Sequence, residues 1–101
     1  MARMTPGHAE RLLAYVPAEY AFRCCDGVAI NSISELCQCL EAMGDETFSY
    51  HSSEEKRDFG SWVRDVIGDT KLARDLDSSS SRVQASKRAE ARFSFLMSRL
   101  G

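Results

Sequence analysis

Long apolar runs are missing from this 101-residue chain. None approaches the roughly 18 consecutive residues that a membrane-crossing helix needs, so no membrane association is expected. The opening segment, Met1 to His8, lacks the apolar middle of a signal peptide, and a cytoplasmic setting with reduced thiols is the expectation. Glycine-rich phosphate loops are also missing: neither G-x-G-x-x-G nor G-x-x-x-x-G-K-[ST] occurs, which argues against a nucleotide-hydrolysing enzyme. The four cysteines sit as Cys24-Cys25 and Cys37-x-Cys39. Structural zinc uses pairs two to four residues apart, so these spacings predict no metal and no cofactor. Proline, histidine and tryptophan are scarce, at two, two and one residues.

What is present is a chain 44% hydrophobic. That is enough for one domain over residues 1–101, although a chain this short buries only about 60–70% of the surface exposed when unfolded. Charge is unevenly placed. Residues 1–77 hold 8 Lys/Arg against 14 Asp/Glu, whereas residues 78–101 hold 5 Lys/Arg against Glu90 alone. A basic tail on an acidic body serves to reach a partner or to dock on its own domain, and the latter is the plainer expectation.

The local patterns predict a mainly α fold, a compact multi-helix domain with one small N-terminal β-hairpin. Thr5-Pro6 opens a short helix over residues 5–15, which Pro17 stops. Alternation from Tyr20 to Ile30, with Asp26-Gly27 between, predicts strands 21–25 and 28–30 with Tyr20, Phe22 and Cys24 on one side. Ser32-x-x-Glu35 has capping-box spacing ahead of a helix carrying Ile33, Leu36, Cys37, Leu40 and Met43, closed by Gly44. Asp45 is expected to cap a short helix with Phe48, and Ser52-x-x-Glu55 to cap the helix of Phe59, Trp62, Val63, Val66 and Ile67. Gly68 ends that helix and Asp69 caps the next, with Leu72, Ala73 and Leu76 inward. After the serine tract 78–81, a last helix over 81–100 places Ala85, Ala89, Phe93, Leu96, Met97 and Leu100 on one stripe.

The motifs Tyr20-Ala21-Phe22, Cys25-Asp26-Gly27, Ser32-Ile33-x-Glu35-Leu36, Phe48-x-x-His51 and Asp58-Phe59-x-x-Trp62-Val63-x-Asp65-Val66-x-Gly68-Asp69-x-x-Leu72-Ala73 resemble those of a small prokaryotic, mostly archaeal family of domains of unknown function. The resemblance spans residues 19–100. It implies a compact, mainly helical domain and brings no catalytic residues with it. Cys24 and Cys39 depart from the family pattern.

Two surfaces qualify as sites. On the last helix Arg88, Arg92 and Arg99 fall together with Phe95 beside them, a composition enriched where proteins meet, and these four are the expected partner-binding residues. The second is a pocket around His51 with Asp58, Trp62 and Cys25, where the imidazole would serve a ligand sensor or small enzyme. A lone histidine is more simply a packed junction residue. Asp58 and Asp65 stand two helical turns apart, about 10.5 Å, too far for paired-acid chemistry, and are expected to meet cations or cap amides. The leading expectation is a non-enzymatic protein-interaction or regulatory module with a protein partner, monomeric or weakly dimeric. Nucleic-acid binding is not expected at a sequence pI near 5.6. Trp62 is expected to be buried between the 33–43 helix and the last one.

Overall fold

The computed structural model describes residues 4–24, 26–53 and 55–100. Thr5 accepts a hydrogen bond from the His8 amide at 3.1 Å and opens α1, Pro6–Leu13. A single 3-10 turn, Ala18–Tyr20, leads into β1 (Phe22–Arg23), which pairs antiparallel with β2 (Ala29–Ile30), Phe22 opposite Ile30. The Asp26 carboxylate accepts from the Val28 amide at 3.1 Å, and Gly27, at φ +93, takes the left-handed position that the tight turn demands. The hairpin is shorter than expected. Phe22 and Cys24 are buried as the alternation predicted, but Tyr20 belongs to the 3-10 turn and is exposed.

Ser32 caps α2 (Ile33–Ala42) by accepting from the Glu35 amide at 3.1 Å. The Glu35 carboxylate then reaches back to the amide of Asn31, not of Ser32, at 2.7 Å. Ser81 and Gln84 repeat the device at the start of α6 (Arg82–Ser98): Ser81 accepts from the Gln84 amide, and the Gln84 side chain accepts from the Ser80 amide. The predicted caps around α3 and α4 are corrected. Gly44, not Asp45, is the N-cap of α3 (Asp45–Ser52), so Ser52 is the last residue of that helix and cannot open the next. Instead α4 (Asp58–Trp62) starts after a turn in which Arg57 sits at φ 42, left-handed, with its amide bonded to the Ser53 carbonyl.

A wide π turn, Val63–Ile67, continues α4 and ends on Gly68 at φ +90. The wider turn rotates less per residue, so Val66 and Ile67 slip to the edge of the buried arc held by Phe59, Trp62 and Val63. Asp69 then caps α5 (Thr70–Asp77), as predicted, accepting from the Leu72 amide at 3.1 Å.

α6 packs along α2 and also touches α1, α3 and α5, while α4 packs on α5. The centre is built from Ile33, Leu36 and Leu40 of α2, Leu72, Ala73 and Leu76 of α5, and Ala85, Ala89 and Leu96 of α6. Each fully buried leucine here contributes about 1.5–3 kcal/mol. Met97 and Leu100 are exposed, against expectation: Leu96 takes the buried position of the last turn of α6 and its neighbour Met97 is turned outward, while Leu100 lies beyond the helix end. The radius of gyration, 12.9 Å, is that of a compact chain of this length, about 13 Å. No helix among the described residues is long and apolar enough to cross a membrane.

Candidate functional site

The basic tail docks largely on its own body. Arg92 lays its guanidinium in a two-pronged contact on Asp69, Nε to Oδ2 at 2.8 Å and Nη2 to Oδ1 at 3.0 Å. The side chains are only 11% and 1% exposed. Asp69 thus caps α5 and anchors α6 with one carboxylate. Arg82 donates to Asp45 and to the carbonyls of Leu40 and Glu41. Arg88 donates from Nη1 to the Asp75 carbonyl at 2.8 Å and to the hydroxyls of Ser78 and Ser79 at 3.0 and 3.3 Å.

Two of the four expected partner-binding residues thus have contacts within the protein. Arg88 and Arg92 are half-buried holding α6 to α5, because their long side chains reach the acidic body before they reach solvent. Phe95 and Arg99 remain at the surface. Phe95, 37% exposed, has the Arg92 guanidinium 5.2 Å and the Arg99 guanidinium 4.9 Å from its ring centre. It stands on the rim of a groove of about 470 Å³ between α5 and α6, walled also by Lys71, Asp75, Arg88, Ala91 and Arg92. A second hollow of about 380 Å³ shares Arg88 and Ala91 and runs on to Lys87 and Val83.

The structure also brings His51 and Asp58 together, with Nδ1 and Oδ2 at 2.8 Å, and Lys56 lies 3.5 Å from the same oxygen. His51 is 6% exposed and Asp58 31%. The imidazole lies edge-on to Phe22, Tyr50 and Phe59 at 5.1, 4.9 and 5.5 Å between ring centres. Trp62, 8% exposed, joins this aromatic corner through Phe22 at 6.0 Å and donates from its indole nitrogen to the Tyr20 carbonyl at 2.8 Å. Its burial agrees with expectation; its partners do not, since they come from the 3-10 turn and β1. Cys25, the fourth residue of the expected pocket, lies outside the described residues. Asp65 is exposed and makes no ion pair among the described residues.

The two thiols of α2 are poorly suited to nucleophilic chemistry. Burial, and after it the charge of Glu90, pushes Cys37 up to about 11. Burial, then Asp26 and Glu35, raises Cys39 as well. Both effects keep the sulfur protonated and unreactive near neutral pH. No group of three or more His, Cys, Asp or Glu among the described residues is placed to hold a metal.

No protein-family model matches the chain, and no curated protein or solved structure shows significant similarity to it.

The Asp69–Arg92 pair and the groove beside it are the features sequence reading missed. Asp69 was legible as a cap from the Gly68-Asp69 junction, but nothing local links it to an arginine 23 positions later.

Proposed function

We propose that the protein is a non-enzymatic interaction module, monomeric or weakly dimeric and cytoplasmic, that meets a protein partner through α6. The observation that carries this is Phe95, held at the surface between two guanidinium groups on the rim of the α5–α6 groove. Aromatic and arginine side chains together are enriched at interface centres, where a rigid ring gives contact area at little entropic cost. Arg92 is fixed beneath the ring by Asp69, so this half of the surface is ordered before any partner arrives.

The alternative, a ligand sensor or small enzyme around His51, has less support. Three aromatic rings pack against the imidazole, and Asp58 occupies its Nδ1.

The test is a comparative pull-down from native lysate with the parent protein and Phe95→Ala/Arg99→Ala. Arg88 and Arg92 stay intact because they hold α6 in place, and Tyr15→Ala, an exposed change elsewhere, is the control. Loss of a partner from the double variant alone is the expected result. Equal recovery by all three proteins sinks the α6 assignment.

A further inference from the structure

We propose, building on the interaction-module reading, that the groove between α5 and α6 receives an acidic amphipathic helix from the partner, with carboxylates on Lys87, Arg88 and Arg99 and an apolar side chain over Ala91 against Phe95. The lining positions 88, 91 and 95 follow the three- and four-residue spacing of a single helix face, and Arg99 at the C-cap stands four residues beyond Phe95, against its ring. From Lys87 to Arg99 the strip is about 18 Å long at the rise of an α-helix, room for about three turns of a partner. The two hollows share Arg88 and Ala91, so they lie side by side along α6.

Charge selects the occupant. Lys71 is answered by Asp75 and Arg92 by Asp69, so those cations are neutralised within the protein. Arg88 differs: its acceptors are a carbonyl and two hydroxyls, which hold the guanidinium still without cancelling its charge. Lys87 and Arg99 make no ion pair among the described residues, and both are exposed. Three uncancelled cations therefore lie along one strip, one of them immobilised in advance. Glu90, the only acid of α6, lies toward Cys37 of α2, three residues from Lys87 but on the far side of the helix from Arg88 and Arg99. The apolar stations, Ala91 and Phe95 with Val83 beyond, are spaced by helical turns and flanked by cations, which matches a helix carrying apolar residues in the middle and carboxylates at the sides. An extended nucleic-acid backbone would gain the cations but face an acidic body, residues 1–77 holding 8 Lys/Arg against 14 Asp/Glu.

Fluorescence anisotropy with three labelled probes tests this: a helical peptide of about 18 residues with leucine on one face and glutamate beside it, the same peptide with lysine replacing glutamate, and a single-stranded oligothymidine. The acidic peptide is expected to bind, with affinity falling as salt rises. Ala91→Glu, an exposed change that fills the groove, and Lys87→Glu/Arg99→Glu are each expected to weaken it by about tenfold or more, their melting temperatures staying near the parent's. No binding of the acidic probe, equal binding of its lysine counterpart, or tighter binding of the oligonucleotide overturns the proposal. If the pull-down partner is lost with Phe95→Ala/Arg99→Ala while the acidic probe stays unbound, the occupant is wrong and the interaction module stands. Equal recovery in the pull-down removes the interaction reading itself.

Discussion

Two regions of the molecule pair a carboxylate with a nitrogen-bearing side chain at the same 2.8 Å and in opposite ways. At the α5–α6 junction the acid, Asp69, is the buried partner and a guanidinium closes over it. In the aromatic corner the base, His51, is buried and its acid, Asp58, faces partly outward. The first carries a permanent charge pair out of water and so depends on both members; removing one leaves the other stranded in low dielectric. The second rests mainly on ring packing, and its carboxylate is reached by water and shared with Lys56. The difference teaches where the fold is held by charge and where by apolar burial.

Asp69→Ala should have the largest effect. It strands Arg92 and removes the N-cap of α5, and a loss of about 3–5 kcal/mol is expected in urea unfolding, with Lys71→Ala as an exposed control near zero. Equal midpoints for the two variants would break the comparison at its stronger end. Trp62→Ala probes the other region: truncating a buried indole that also satisfies the Tyr20 carbonyl should cost about 3–5 kcal/mol by cavity formation, and the parent's emission should be that of shielded indole. A melting temperature within a degree or two of the parent would show that the corner is not held by packing.

Cys37 reports a third site, on α2. Its thiol lies at about 11 in the fold against 9.0 for the ordinary group. A raised value contributes stability that is complete below pH 9 and lost as pH climbs toward 11, because the unfolded chain releases the proton first. The loss is at most about 2–3 kcal/mol before solvent screening reduces it. Unfolding midpoints of the parent and Cys37→Ala between pH 8 and pH 11 check this, the variant losing less; parallel curves would rule it out.

Gly60 sharpens the comparison from the side of α4. A Cβ there would stand 1.9 Å from Asp77 Oδ1 and 3.1 Å from the Ala73 carbonyl, so α5 can approach only a glycine. Asp77 Oδ2 is held by Arg64 at 2.7 Å while Oδ1 is buried with no hydrogen-bond partner among the described residues, which limits how far the side chain can retreat. Gly60→Ala is expected to cost about 1–3 kcal/mol by overpacking, and an unchanged denaturation midpoint would place the two helices farther apart. The smallest effect belongs to Asp58→Asn. The amide oxygen still reaches His51, only the half-exposed charge is lost, and about 0.5–1 kcal/mol is expected by the same unfolding measurement. A loss as large as that of Asp69→Ala would erase the distinction between the two regions.

Much of the architecture was legible locally. Thr5, Ser32, Asp69 and the glycines at 27 and 68 act where short-range chemistry put them, since a cap or a left-handed turn depends on a few neighbouring residues. Ser52 misled because its capping spacing was satisfied while the preceding helix was still running. The stripe of α6 was right at Ala85, Ala89 and Leu96 and wrong at Met97 and Leu100, because Leu96 and Met97 cannot both face inward and Leu100 lies past the end of the helix. Ser81-x-x-Gln84 carried the same signal as Ser32-x-x-Glu35 and was available to be read.

For the candidate site the division is sharper. Helical spacing alone placed Arg88, Arg92, Phe95 and Arg99 on one side of α6, and composition alone made the tail basic and the body acidic. Which cations are spent inside and which face outward was decided by tertiary structure, because Asp69 and Arg92 are brought within 2.8 Å only by the packing of α5 on α6. Likewise Trp62 was determined by sequence to be buried, but its partners were set by the return of the N-terminal segment, 42 positions away. Local sequence settles what a side chain can do; the long-range approach of elements settles what it meets, since desolvation and pairing depend on distances in space that no short window contains.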